Sequence, residues 1–271
     1  TGEVYQVWKK EALILDDEGN ELLLPKTEQI PADYFKKGDT VRAVIEKVEM
    51  INNNPKIIIS RTSPKFLQRL FEMEVPEIYD GVVEIMSAAR EPGQRAKIAV
   101  TSKDPSVEPV GACVGMKGIR IHSIVRELNN ESIDIIEHHQ DPRIFIARAL
   151  SPARVREIII NQETRSATVV VPDDQVSLAI GKNGQNVRLA SKLTGYSLSL
   201  IKEGSEDIEL IEFKDEIGHD MYMRIIELEV DTAREFLMAD IYDLLSLEGM
   251  TKELLLEIRA IILQEFDEKE D

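Results

Sequence analysis

Two stretches of this chain lie 66 residues apart and share one pattern, and that repetition limits the fold more than any other feature. The first is Val110-Gly111-Ala112-Cys113-Val114-Gly115-Met116-Lys117-Gly118-Ile119-Arg120-Ile121, and the second is Val176-Ser177-Leu178-Ala179-Ile180-Gly181-Lys182-Asn183-Gly184-Gln185-Asn186-Val187. Both read Val-x-x-x-Val/Ile-Gly-x-x-Gly. Glycines three apart close a four-residue turn between helices, because glycine accepts positive φ and lets backbone approach backbone. A helix starting after such a turn directs free N–H groups outward, a setting that attracts phosphate. Lys117 and Lys182 each add a flexible positive charge there.

The repeat extends both ways. Ala96–Val100 pairs with Ala167–Val171, and both runs are rich in strand-favouring residues. Ile121, Ile124, Val125 and Leu128 fall at helical spacing, and Ile133–Ile136 parallels Leu198–Ile201 as a further strand. A helix from Pro64 with Ser63 as its cap, a strand over Val82–Met86 and a turn at Arg90–Gln94 precede the first copy. A helix over Pro142–Leu150, a strand over Val155–Ile160 and a turn at Asn161–Arg165 precede the second. Each copy therefore reads strand, helix, Gly-x-x-Gly, helix, strand, with a helix and strand in front.

That order resembles the KH family of single-stranded nucleic-acid-binding modules, in its type II topology. A lone Gly-x-x-Gly often only closes a helix–helix turn, but two in register within the same larger unit argue for a true repeat. The resemblance implies an RNA-binding set of Gly115, Met116, Lys117, Gly118 and Arg120 in the first copy, and Gly181, Lys182, Asn183, Gly184, Gln185, Asn186 and Arg188 in the second. Backbone N–H groups at Gly118 and Gly184 would hold phosphates with the two lysines. Asn183, Gln185 and Asn186 would reach sugar or base edges, and Val114, Ile119 and Ile180 would support bases, although packing alone also accounts for these three. Residues 138–141 alone link the copies, which predicts a fixed relation between them.

Residues 1–62 alternate short strand-like runs with turns, and five strands in that length fit a small closed barrel. The Gly2-x-Val4 opening, the Lys37-Gly38-Asp39-x-Val41 step and the closing Ile57-Ile58-Ile59-Ser60-Arg61 resemble the ribosomal-S1-type OB barrel. Such barrels grip single strands with aromatics and a basic groove. Tyr5, Trp8, Tyr34 and Phe35 are the candidate stacking residues, with Lys9, Lys10, Arg42 and Lys47 for the backbone; Trp8 and Phe35 fit a core equally well.

Charge is unevenly placed. Of a net −17, residues 205–271 hold −15 from 21 acids and 6 bases, whereas residues 62–204 carry 18 of each sign. The acidic segment predicts helices over Thr232–Leu237, Ile241–Leu245 and Thr251–Phe266, and Leu247-Glu248-Gly249-Met250 resembles a helix-hairpin-helix turn. Its carboxylates point to a protein partner or to folding back over the basic loops rather than to phosphate.

The single cysteine, Cys113, excludes an internal disulfide and fits a buried small hydrophobe. His138-His139-Gln140-Asp141 lacks regular metal-ligand spacing and reads as a connector, while His122 and His219 have no recognisable partner. With no phosphate loop ending in Gly-Lys-Ser/Thr and no nucleophile elbow, neither catalytic residues nor a cofactor or metal is expected. No apolar run reaches the length of a membrane span, so a cytoplasmic monomer is expected.

The expected architecture is multidomain: an all-β OB barrel (1–62), two α+β type II KH domains (63–139 and 140–204) and an all-α acidic domain (205–271). That order resembles the NusA family of bacterial transcription elongation and termination factors, most distinctively at Ala88–Lys97 and Ala179–Ala190. The resemblance implies binding of nascent RNA beside RNA polymerase, modulation of pausing, termination and antitermination, and contact with other elongation and termination factors. The family's N-terminal polymerase-binding domain has no counterpart here, and the opening at Thr1 fits a chain lacking it. RNA decay or ribosome assembly, and a protein scaffold whose KH surfaces bind no RNA, are the alternatives.

Overall fold

The computed structural model describes residues 1–204 and 207–268; the expected start of the acidic domain at Ser205 lies outside the described residues. The chain forms two compact units, Thr1–Ala149 with Lys192–Thr194, and Leu150–Ser191 with Gly195–Asp271.

The first unit opens with strands β1 (Gly2–Val7), β2 (Glu11–Leu15), β3 (Glu21–Pro25), β4 (Thr40–Val41), β5 (Val44–Ile51) and β6 (Asn54–Ser60), in the order β4-β1-β2-β3-β6-β5. The single strand expected over 41–48 is split at Arg42 and Ala43. Its first piece pairs with β1 and its second with β6, so one stretch of chain joins the two margins of the sheet. That is closure in a barrel, which removes open edges. Val4, Ala12, Ile14, Leu24, Val41 and Ile59 form its core.

Helix α1 (Pro64–Glu74) follows, with Ser63 accepting from the Lys65 N–H and proline at the first turn, then α2 (Pro76–Tyr79). Strand β7 (Val83–Glu91) runs antiparallel to β8 (Arg95–Ser102), which runs parallel to β9 (Ser132–Glu137); α3 (Pro109–Val114) and α4 (Ile119–Glu127) lie between β8 and β9 in sequence. Alternate β8 residues Ala96, Ile98 and Val100 share a core with Phe71, Cys113, Ile124 and Leu128. Burial there pushes the Cys113 thiol up to about 12, with Glu77 adding to the rise, so it behaves as a small apolar residue. Lys97 points to the other face, fully buried, its ammonium 2.8 Å from Asp134. Burial draws its pKa down and Asp134 opposes that.

Two buried arginines fasten the barrel to this domain. Arg90 donates to both oxygens of Glu131 at 2.7 and 3.0 Å and to the Arg61 and Ser63 carbonyls at 2.7 and 3.1 Å. Arg61 donates to Asp33 at 2.8 Å, to Glu127 Oε1 at 2.8 Å and to the Arg42 carbonyl at 2.7 Å. Glu131 also accepts from the Gly93 N–H at 2.8 Å. Helix α5 (Pro142–Ala149) lies on β9, with the Phe145 ring edge-on to His138 at 4.7 Å. Burial, then His139, lowers the His138 pKa, and His139 Nδ1 accepts from the Asp141 N–H at 2.9 Å, so the histidine pair is part of a connector.

The second unit repeats the sheet: β10 (Glu157–Asn161) antiparallel to β11 (Ser166–Val171), and β11 parallel to β12 (Ser197–Lys202), with α6 (Val176–Ile180) and α7 (Gln185–Thr194) in the intervening chain. The acidic segment folds as α8 (Lys214–Ile217), α9 (His219–Ile226), α10 (Ala233–Met238), α11 (Ile241–Ser246) and α12 (Lys252–Glu268). Helices α10 to α12 answer the three expected; α8 and α9 were not anticipated.

Phe213, Ile225, Phe236, Leu244, Leu255 and Ile258 share one core with Ile201 of β12. Arg259 Nη2 donates to Thr168 Oγ1 of β11 at 2.9 Å, and the Tyr242 hydroxyl bonds Glu163, which raises its pKa. The acidic helices therefore pack on the second sheet, not on the second glycine loop as folding back would require: Lys182, Asn183 and Arg188 remain exposed. Among the described residues no helix is long and apolar enough to cross a membrane, and no group of His, Cys, Asp and Glu is placed to hold a metal ion.

Candidate nucleic-acid interface

The two glycine loops share one backbone conformation. Gly115, Lys117 and Gly118 have φ of 75°, 52° and 76°, and Gly181, Asn183 and Gly184 have 73°, 54° and 71°. The third residue of each loop is left-handed although it is not glycine, a cost the surrounding bonds must hold in place.

Those bonds also repeat. Arg120 Nη1 donates to the Ala112 carbonyl at 2.6 Å, and Asn186 Nδ2 donates to the Leu178 and Ala179 carbonyls at 3.2 and 3.1 Å and to Leu150 at 2.9 Å. Ala112 and Leu178 are themselves 66 residues apart, so both copies satisfy the helix-end carbonyl before the loop from the second residue of the helix after it. A Cβ on Gly115 would sit 2.7 Å from Arg120 Cγ, and one on Gly181 2.7 Å from Asn186 Cβ. Gly181→Ala is therefore expected to cost more than about 1 kcal/mol, read as a lower denaturation midpoint; an unchanged midpoint would contradict this loop geometry.

Two of the residues expected to touch RNA thus have partners within the protein. Arg120 also pairs with Glu77 at 2.8 Å, and Asn186 is wholly buried, so both brace the loops from behind. The outward side belongs to the rest. Lys117, Lys182, Asn183 and Arg188 are exposed, Gln185 is half-buried, and Met116 and Ile119 are 84% and 70% exposed. Neither α4 nor α7 has a side-chain cap at its N-terminus, but the N–H groups of Gly118 and Gly184, expected to hold phosphates, already donate to the Gly115 and Gly181 carbonyls at 3.0 and 3.2 Å, and those of Ile119 and Gln185 to the Met116 and Lys182 carbonyls. Neither Lys117 nor Lys182 has an ion-pair partner among the described residues. Ile180 is partly exposed and Val114 half-buried; Leu178, exposed on α6, was not singled out by its sequence.

On the barrel, Tyr5, Trp8 and Tyr34 are exposed, whereas Phe35 packs against the core. Lys37 lies over the Tyr5 ring at 5.1 Å and Lys36 over Tyr34 at 5.7 Å, two cations that sequence reasoning passed over. Lys9, Lys10 and Arg42 are exposed, and Lys47 is paired with Glu49 at 2.6 Å.

Residues 61–138 match the model of the NusA-like first KH domain, and residues 142–208 that of the NusA-like second KH domain. The chain is 54% identical over 183 residues to the transcription termination/antitermination protein NusA of Bacillus subtilis, covering 68% of this chain and 49% of that protein. It is 44% identical over 209 residues to the protein of the same name from Thermus thermophilus, covering 77% and 54%. For that of Rickettsia prowazekii the identity is 33%, covering 96% and 54%. The chain thus spans about half the length of the curated relatives it matches. With both KH models in tandem and the same loop built twice, the chain belongs to the NusA family.

Proposed function

We propose that this chain binds single-stranded RNA through the Gly115–Gly118 and Gly181–Gly184 loops, and that it does so as part of a transcription factor acting on nascent transcripts. The observation that carries the reading is one loop conformation built twice, each copy with an exposed lysine that has no ion-pair partner among the described residues, ahead of a helix without a side-chain cap. Phosphates sit at the positive ends of α4 and α7, Lys117 and Lys182 neutralise charge, and Asn183 and Gln185 reach sugars or bases. Tyr5, Trp8 and Tyr34 extend stacking onto the barrel. The relatives' printed name supports a role in transcription termination and antitermination; RNA polymerase and other elongation factors as partners, a cytoplasmic setting and action without catalysis complete the proposal.

Replacing Lys182 and Asn183 together with aspartate tests it. Aspartate also tolerates left-handed backbone, so the loop keeps its shape while its charge reverses. RNA affinity is expected to fall about tenfold or more, as for loss of charge-assisted hydrogen bonds. Unchanged affinity in a folded double variant would contradict the placement.

A further inference from the structure

We infer that His122 is a phosphate-contacting residue of the first glycine loop, the titratable counterpart of Arg188 in the second. This rests on the RNA-binding reading above and adds to it a residue that neither the loop motif nor the comparisons assign.

The repeat carries the inference. His122 is the fourth residue of α4 and Arg188 the fourth of α7, 66 positions apart like the loops themselves. Each side chain lies against the second glycine of its own loop. A Cβ on Gly118 would meet His122 Cε1 at 3.2 Å and Nδ1 at 3.5 Å, and one on Gly184 would meet Arg188 Nη1 at 3.6 Å. Arg188 also donates to the Asn183 carbonyl at 3.1 Å, which sets its guanidinium at the loop. Both residues are exposed, one helical turn into a helix whose N-terminus has no side-chain cap. A phosphate beside the first loop therefore has an imidazole where the second loop offers a guanidinium.

Guanidinium stays charged at all working pH, whereas imidazole changes charge between about pH 5 and 8. The neighbouring charges leave that change to act on a ligand. On the same loop and helix, Lys117 and Arg126 are exposed cations and Arg120 is paired with Glu77 of α2. From α1, Glu74 accepts from Ser123 at 2.9 Å; from α3's start, Glu108 caps the Val110 and Gly111 N–H groups. On β9, Asp134 is held by Arg95 and Lys97. The carboxylates near α4 thus already have partners, and an anion arriving at the loop is the group that protonated His122 meets.

The test uses the full chain and a fluorescein-labelled single-stranded oligoribonucleotide of mixed sequence, at fixed ionic strength from pH 8 to pH 6. Wild-type affinity is expected to rise about three- to tenfold as pH falls. His122→Gln removes that rise, His122→Arg binds at pH 8 as wild type does at pH 6, and Arg188→His steepens the pH dependence. Equal melting temperatures for these exposed-site variants separate contact from folding. If His122→Gln keeps the wild-type pH profile while the Lys182/Asn183 double aspartate variant loses affinity, the inference fails and the RNA reading stands. If the double aspartate variant also binds as wild type does, the loop reading fails and takes this inference with it.

Discussion

Replacing Arg90 with methionine is expected to lower stability by about 3–5 kcal/mol, the cost of leaving a buried charge without its partner. Arg90 and Glu131 side chains are both fully excluded from solvent, and they meet through two parallel bonds. Methionine fills much of the volume but leaves Glu131 with the Gly93 N–H, takes from the Arg61 carbonyl its Arg90 donor, and leaves the Ser63 carbonyl with the Phe66 N–H. Because Arg61 bonds Asp33, the Arg42 carbonyl and Glu127, the loss also loosens the attachment of the barrel to the first KH domain. Adding Glu131→Leu removes the stranded carboxylate and is expected to restore part of the loss, not all, since the Arg61 carbonyl still lacks the donor that Arg90 gave it. Denaturant unfolding followed by circular dichroism reads both variants. A single variant within about 1 kcal/mol of wild type would show that the pair does not behave as a buried one.

Ending the chain after Gly204 is expected to destabilise the second KH domain rather than free its loop. Thr168 and Val170 of β11 and Ile201 of β12 are buried, and Ile201 belongs to the core of the acidic helices. Full exposure of an aliphatic side chain costs about 1.5–3 kcal/mol, and 1 kcal/mol shifts the melting temperature of a domain this size by about 4–8 °C. A fall of roughly 10 °C, with self-association through the bared sheet, is the expected result. Arg259→Met in the full chain tests the same contact without deletion. A truncated chain that is monodisperse and melts at the wild-type temperature would contradict the packing. Tighter RNA binding after truncation would not follow from uncovering the second loop, because Lys182, Asn183 and Arg188 are already exposed with the helices in place.

How far the sequence could be read depended on whether a feature was local. The glycine loops were legible because φ and spacing are local properties, and both copies carry them. Asn186 was not: a polar residue at a helix start is compatible with ligand or scaffold, and what decides is Leu150, 36 residues earlier, whose carbonyl it meets. Lys97 and Thr168 hold matching positions on the two middle strands, yet one finds Asp134 and the other Arg259, 91 residues on, a pairing no local pattern encodes. Helices α8 and α9 escaped because Gly218 divides them into pieces too short for a 3.6-residue period to show. The break at Arg42 and Ala43 is likewise set by the need to pair with two different neighbours. Arg90 and Arg61 stood in recognisable stretches, but their role at the barrel joint needed the partners Glu131 and Asp33.

The most direct measurement of the central claim is a titration of a short labelled single-stranded RNA, with a matched DNA, into the full chain at several salt concentrations. Binding that favours RNA and weakens with salt, with a slope of about −0.7 for each phosphate neutralised on a single strand, is the predicted result. A folded chain that binds no RNA at low salt, or whose affinity ignores salt, would contradict it.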